Sequence, residues 1–291
     1  MKILITGAAG CTAASLIPLL AANPADELVL TDVAAGASPT AQICDLTNAA
    51  AVTTLLAGIR PRQIYHLAGS FSNDYEIDYR VNVLAAKNLL DGCMELHLDC
   101  RILLVGSAAE YGLIAEGDNP VNERQALNPV SIYGVTKAMQ THLMKYYHYV
   151  HNLDVVMART FNLIGPNMSP RLFIGRLYEQ IEKYKNGDIG KITLGNLDNR
   201  RDYLPVDEAV SWYRTIMNKG AAGEIYNVGS GVSISIRELL LRILAGYGLS
   251  EDVVAVGKVS FSSKLDVKDI YADITHLSEL GQVVDATGCM Q

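Results

Sequence analysis

The sequence predicts an α/β fold, a doubly wound parallel sheet with a smaller C-terminal lobe. Three observations predict it. Short apolar runs alternate with helical periodicity through the first half of the chain, the pattern of strands and crossover helices in a sheet covered on both faces. The first apolar run leads directly into a glycine-rich turn, G-A-A-G-C-T-A at 7–13. Beyond residue 165 the rhythm becomes irregular, which assigns 1–165 to the sheet domain and 166–291 mainly to a second lobe, some segments of which return to the sheet.

Taken in order, the apolar runs at 2–6, 27–32, 63–67, 101–106 and 154–159 read as strands. Helical patterns cover 10–22, 48–58, 75–97 and 131–151. Pro18 removes a backbone donor inside the first helix, so that helix is expected to kink or begin late. In the second half, helices are expected over 172–185, 207–218 and 235–245, with short strands at 192–194 and 225–228. No internal repeat, low-complexity segment or long linker interrupts the chain.

With 291 residues, 49% of them hydrophobic, the chain can bury a sizeable core. No apolar run has the length of a membrane span, and the opening M-K-I-L-I-T-G reads as a strand rather than a signal peptide. A net charge of −7 and the lack of a basic patch argue against nucleic acid as a partner. The five cysteines, Cys11, Cys44, Cys93, Cys100 and Cys289, are scattered, odd in number and without a C-x-x-C pair. That usage suits reduced thiols in a cytoplasmic protein better than a disulfide framework or a metal site.

The glycine turn is the candidate cofactor end. Gly7 and Gly10 let the backbone approach a pyrophosphate, which rests on the helix N-terminus at Cys11 and Thr12; Ala13 fills the third small position. Cys11 is a small packing residue or, less simply, a reactive thiol. Asp32 ends the second strand, where a carboxylate accepts from ribose hydroxyls and repels a 2′-phosphate. This points to NAD(H) over NADP(H), against the plainer reading of a solvated turn residue. Asp45 and Leu46 offer an acceptor and an apolar wall for adenine, or Asp45 or Asn48 simply caps the next helix. Leu67, Ala68 and Gly69 end the third strand where a dinucleotide would cross the sheet. His66 reads more simply as a half-buried strand-end residue.

The stretch S-I-Y-G-V-T-K at 131–137 sets Tyr133 and Lys137 four residues apart, hence on one helix face. The ammonium is expected to lower the phenol's pKa and ready it for proton transfer. An isolated Y-x-x-x-K is more often a surface Tyr and a solvated Lys; the segments around it give this one weight.

Those segments are GAAGCTA, Asp32, YHLAG, RVN, GSAAEYG, YGVTK, RTFNLIGP and RRDYLPVDEAV, in this order over nearly the whole chain. Together they resemble the extended short-chain dehydrogenases/reductases that modify nucleotide sugars, with a Rossmann-type domain and a smaller C-terminal substrate-binding lobe. The combination is most similar to GDP-4-keto-6-deoxy-D-mannose reductases and their GDP-mannose dehydratase relatives. The resemblance implies that Ser107 hydrogen-bonds the sugar C4 oxygen, that Tyr133 is the acid/base, and that Lys137 holds the nicotinamide ribose. Asn82 matches an Asn near the active site, or serves only its own helix. For the nucleotide sugar it implies Asn162, in the segment leading to the loop at 167–171 that ends in Arg171. It also favours Arg201 at the diphosphate, with Asp202 holding it, over a solvated surface pair. Glu110 belongs to the same expected substrate set, although an extended segment would turn it away from the site. Relatives often carry an Arg in the segment matching 262–266; here only Lys264 is available.

All related reactions move a hydride at a sugar carbon. A 4,6-dehydratase also needs a carboxylate, usually two residues after the catalytic Ser/Thr, and that position is Ala109. That disfavours a dehydratase, and the resemblance tips the expectation towards a reductase of a GDP-linked 4-keto-6-deoxy sugar, with a C4-epimerase that retains NAD as the alternative. The resemblance further implies a homodimer through the helices at 75–97 and 131–151; Tyr146, Tyr147 and Tyr149 otherwise simply pack on the sheet.

Overall fold

The computed structural model describes residues 1–34, 41–115, 117–257 and 267–281. The first half builds β1 (Lys2–Thr6), α1 (Cys11–Ala21), β2 (Glu27–Asp32), β3 (Gln42–Ile43), α2 (Ala49–Ile59), β4 (Gln63–His66), α3 (Tyr75–Asp78), α4 (Ala85–Glu95), β5 (Arg101–Ser107), α5 (Ile132–His151) and β6 (Val155–Thr160). Then come β7 (Asn162–Ile164), α6 (Phe173–Lys185), β8 (Ile192–Leu194), β9 (Arg200–Arg201), β10 (Tyr203–Pro205), α7 (Val206–Lys219), β11 (Ile225–Val228), β12 (Ile234–Ser235), α8 (Ile236–Gly246), β13 (Val254–Val256), β14 (Asp269–Ile270) and α9 (Thr275–Ser278).

Seven strands form one parallel sheet in the order β11-β6-β5-β4-β1-β2-β3. The order reverses between β1 and β4, and a crevice outside the strand ends at such a switch is where this architecture takes ligands. Alternation along each strand feeds two cores. Ile3, Ile5, Leu103, Val156 and Ala158 pack with Leu16 of α1 and Tyr213 and Ile216 of α7. Leu4, Ile102, Leu104, Val155 and Met157 pack with Leu56 of α2, Leu89 of α4 and Met144 of α5. At Gly92 a Cβ would stand 2.7 Å from the Leu56 side chain, so α4 lies close on α2.

Pro18 neither delays nor ends α1, which starts at Cys11 and runs to Ala21. Proline forfeits only one backbone bond there, and Leu16 and Leu20 on either side are buried against the sheet. The helix expected over 75–97 is interrupted: α3 and α4 are joined by a π-helical stretch, Tyr79–Leu84. The second lobe has its own core, in which Leu177 and Ile181 of α6 and Leu240 and Leu244 of α8 cover the β8–β13 pair. α7 and β11 return to the main sheet.

Candidate active site

At the cofactor end, Gly7 takes φ +70°, and a Cβ there would lie 2.7 Å from the Ala68 nitrogen. The ends of β1 and β4 thus approach too closely for any other residue. α1 begins at Gly10 with no side-chain cap and no acid in its first turn, so its leading N–H groups at Cys11 and Thr12 remain suited to an anion. Asp32 accepts from the Ala9 N–H at 2.9 Å and the Ala34 N–H at 3.0 Å, tying the end of β2 to the glycine turn. Gly69 forms an open floor, where a Cβ would come within 3.4 Å of Asn82 Oδ1 and 3.5 Å of Lys137 Nζ. Asp45 is exposed and accepts from both the N–H and the hydroxyl of Thr47, which lowers its pKa. Asn48, not Asp45, caps α2. Leu46 is buried in the core beneath α2 and α4. Cys11 packs beside Met168 and Ile174.

The structure brings Ser107, Tyr133 and Lys137 together at the C-terminal end of β5. Ser131 caps α5 by accepting from the Gly134 N–H at 3.0 Å, which fixes the helix start and so the direction of Tyr133. A Cβ at Gly134 would meet the Ala109 carbonyl oxygen at 2.4 Å, so α5 presses directly on the turn after β5. The Ser107 hydroxyl lies near enough to that of Tyr133 to lower the phenol's pKa. Lys137 Nζ donates to the Val105 carbonyl at 2.9 Å and to Gln140 Oε1 at 3.1 Å, and stands 6.0 Å from the centre of the Tyr133 ring.

The expected lowering of the phenol pKa is not found. Burial pushes Tyr133 up to about 12, outweighing the lowering effect of the nearby Ser107 hydroxyl, with Glu110 and Asp78 adding to the rise. Burial likewise holds Lys137 down to about 8, against the upward pull of Glu110 and Asp78. The tyrosine is therefore a protonated acid. His66 is fully buried against Thr6, with Nδ1 and Oγ1 2.9 Å apart, and burial and the Lys137 charge hold it at about 3.

Glu110, expected in the substrate set, turns into the core instead. It lies in a 3₁₀ turn rather than an extended segment, fully buried, and its carboxylate is committed. Oε1 accepts from the Ser107 N–H at 2.7 Å; Oε2 accepts from Thr141 at 2.6 Å and is paired with Arg159 at 2.9 Å. Asn82 is also occupied by the protein. Its amide oxygen accepts from the Ser70 N–H at 2.8 Å, and its nitrogen donates to Ser70 O at 2.9 Å and Thr136 Oγ1 at 3.0 Å. It shapes the loop after β4 and leaves Gly69 open. The loop is held from a second side by buried Asp78, which accepts from the Ser72 N–H, the Ser72 hydroxyl and the Asn73 N–H. Burial alone would raise the Asp78 pKa; these bonds bring it below the usual range. The loop carries Phe71, whose ring meets Tyr133 edge-on at 4.9 Å. Asp78 and Phe71 escape a motif search, although Asp74, Asp78 and Asn82 recur every four residues on one helical face.

On the second lobe, Asn162 is exposed at the start of β7 and donates to the Asp202 carbonyl at 3.1 Å. Arg171 is exposed in the loop before α6. Arg201 is half-buried on β9, its Nη1 donating to the Arg200 carbonyl at 2.7 Å. Asp202 does not hold that guanidinium but accepts from Ser230, Gly231 and the Ala272 N–H. Lys264 and Cys289 lie outside the described residues.

Residues 3–229 match the NAD dependent epimerase/dehydratase family. The chain is 31% identical over 186 residues to the GDP-6-deoxy-D-mannose reductase of Pseudomonas aeruginosa, a stretch covering 62% of this chain and 61% of that protein. It is 26% identical to the UDP-glucose 4-epimerase of Mycolicibacterium smegmatis, over 87% of this chain and 84% of the relative. The crystal structure of the dTDP-glucose 4,6-dehydratase of Streptomyces venezuelae with NAD bound superposes with a TM-score of 0.84 at 26% identity, over 99% of this chain and 94% of that one.

Proposed function

The chain belongs to the NAD dependent epimerase/dehydratase family, and on that premise we propose that it exchanges hydride at C4 of a nucleotide sugar, as an NAD(P)H-dependent reductase of a GDP-linked 4-keto-6-deoxy sugar. The similarity to GDP-6-deoxy-D-mannose reductase favours the reductase, and one observation weighs against a 4,6-dehydratase. Ser107, Tyr133 and Lys137 stand together, yet the position that would supply a dehydratase's carboxylate is Ala109, and the adjacent Glu110 is locked onto Arg159. Among the described residues the site has an acid for the C4 oxygen and no carboxylate placed for a C5 proton.

The cradle fits a nicotinamide dinucleotide: uncapped N–H groups at the head of α1, a glycine floor at Gly69, and Asp32 at the end of β2. Gly7, Gly10, Cys11, Thr12, Asp32, the strip Leu67 to Gly69 and Lys137 would hold it, and when bound it supplies or receives the hydride. Tyr133 then passes its proton to the C4 oxygen while the Ser107 hydroxyl donates to the same atom, stabilising charge that builds there. The Lys137 ammonium compensates the phenolate left behind. Phe71 offers the sugar ring an apolar edge, and Asn162, Arg171 and Arg201 are assigned to the nucleotide diphosphate, where guanidinium geometry suits phosphate.

Asp32 favours NAD(H), and it also supports a second reading, a C4-epimerase that retains NAD. Incubation with a GDP-4-keto-6-deoxy sugar and NADH or NADPH separates the two. Stoichiometric consumption of reduced cofactor supports the reductase. Retained NAD with C4 inversion of a nucleotide sugar and no net redox change replaces it with the epimerase. We place the reaction in the cytoplasm. We also assign a homodimer, because Ile77, Tyr146, Tyr149 and Val150 are exposed apolar residues of α3 and α5. A monomeric mass in dilute solution would overturn that assignment.

A further inference from the structure

Two cysteines that look unrelated in the sequence meet at the far end of the sheet. Cys93 lies in the last turns of α4, and Cys100 immediately precedes β5. Between them the chain reverses. The Leu96 N–H donates to the Gly92 carbonyl at 3.1 Å, the Leu98 N–H donates to the Cys93 carbonyl at 3.0 Å, and His97 adopts φ 47°. The reversal leaves the two sulfurs 3.8 Å apart. Cys93 is sealed, whereas Cys100 keeps 9% of its surface open, beside an Asp99 side chain that is 87% exposed.

We propose that Cys93 and Cys100 are a modification site, an oxidisable dithiol that low-molecular-weight disulfides such as glutathione disulfide convert to an intramolecular disulfide. Nothing in the hydride chemistry uses either thiol; Cys100 stands at the start of β5 and Ser107 at its end. Cys100 is the attacking thiol because it is the one with access to solvent. The Cys100 S–H points at the Cys93 sulfur, and contact with Cys100 and burial hold the Cys93 thiol above the usual range. The Cys100 thiolate displaces one small thiolate from the reagent and forms a mixed disulfide. Cys93 then gives up its proton and attacks the Cys100 sulfur, expelling the second small thiol. Two protein thiols are oxidised to one disulfide, and the small disulfide is reduced to two thiols that carry off both protons. The sulfurs must close from 3.8 Å to about 2.05 Å, a movement within reach of side-chain rotation.

The test uses the intact folded chain incubated with glutathione disulfide, quenched in acid, alkylated with N-ethylmaleimide and digested with trypsin. Cleavage after Lys87 and Arg101 leaves both cysteines on one peptide, 88–101. The expected result is a loss of about 2 Da on that peptide with no alkylation, reversed by dithiothreitol. In Cys93→Ser the same peptide is expected to carry one glutathione on Cys100. A wild-type peptide that takes two maleimides, or holds glutathione without closing, overturns the proposal. So does a Cys93→Ser peptide that remains free thiol, since Cys100 would then not be the attacking group.

Discussion

Arg159 Nη2 lies 2.9 Å from Glu110 Oε2, and both side chains are sealed from solvent. The other carboxylate oxygen takes the Ser107 N–H, so a buried charge pair fixes the backbone from which the candidate catalytic hydroxyl projects. Removing one member of such a pair strands the other. Glu110→Ala is expected to cost about 3–5 kcal/mol of stability, read as a fall in the chemical-denaturation midpoint, and Arg159→Met a comparable amount. A double variant losing the sum of the two single losses would show that the pair is not a coupled unit.

Tyr133→Phe keeps the ring against Phe71 and removes only the phenol hydroxyl. Turnover is expected to fall by about 10²–10⁴-fold, with cofactor affinity changed little. Steady-state rates and a fluorescence titration with NADH check the two halves. Turnover surviving within a few-fold would mean that another group supplies the proton.

Lys137 gives opposite signs in activity and stability. Its folded pKa of about 8 lies below its ordinary 10.5, so the ammonium is lost as pH rises through about 8, and kcat/KM is expected to fall there. Between about 8 and 10.5 the unfolded chain binds that proton more readily than the folded one, so this group's contribution to stability rises with pH across the same window. Asp78, Glu110 and His66 also face this charge. Asp78→Asn removes one anion that supports the ammonium and is expected to move the alkaline limb to lower pH. A pH–rate profile of wild type and variant decides it; a limb that stays in place separates Asp78 from Lys137.

What was legible in the sequence follows from how local each signal is. β1, β2, β8 and β11 fall where the apolar runs end, and Tyr133 and Lys137 share a helix face because four residues make one turn. β3, β9, β12 and β14, each of two residues, exist only because a neighbouring segment pairs with them, and no periodicity can show in so short a run. The inward turn of Glu110 is hidden from the sequence for a related reason. Its partner Arg159 is 49 residues away, and only the S-x-x-E capping spacing from Ser107 hinted that it would turn inward. For Tyr133, helix spacing reports the nearby ammonium but not burial, the largest cause of the raised phenol pKa.

His66 carries the last prediction. It is buried beside Thr6 and is held neutral at about 3 by burial and by the Lys137 charge. Its ordinary value is 6.5, so below that pH the unfolded chain takes up a proton that the folded chain refuses. Stability is therefore lost as pH falls from about 6.5 towards 3, at up to about 1.4 kcal/mol per pH unit. His66→Asn keeps a polar partner for Thr6 and cannot titrate. Urea unfolding at pH 7 and pH 4 is expected to show wild type losing about 3 kcal/mol more than the variant between the two conditions. Equal losses would mean that His66 takes up its proton in the folded protein and that the imidazole is not sealed as the Thr6 contact indicates.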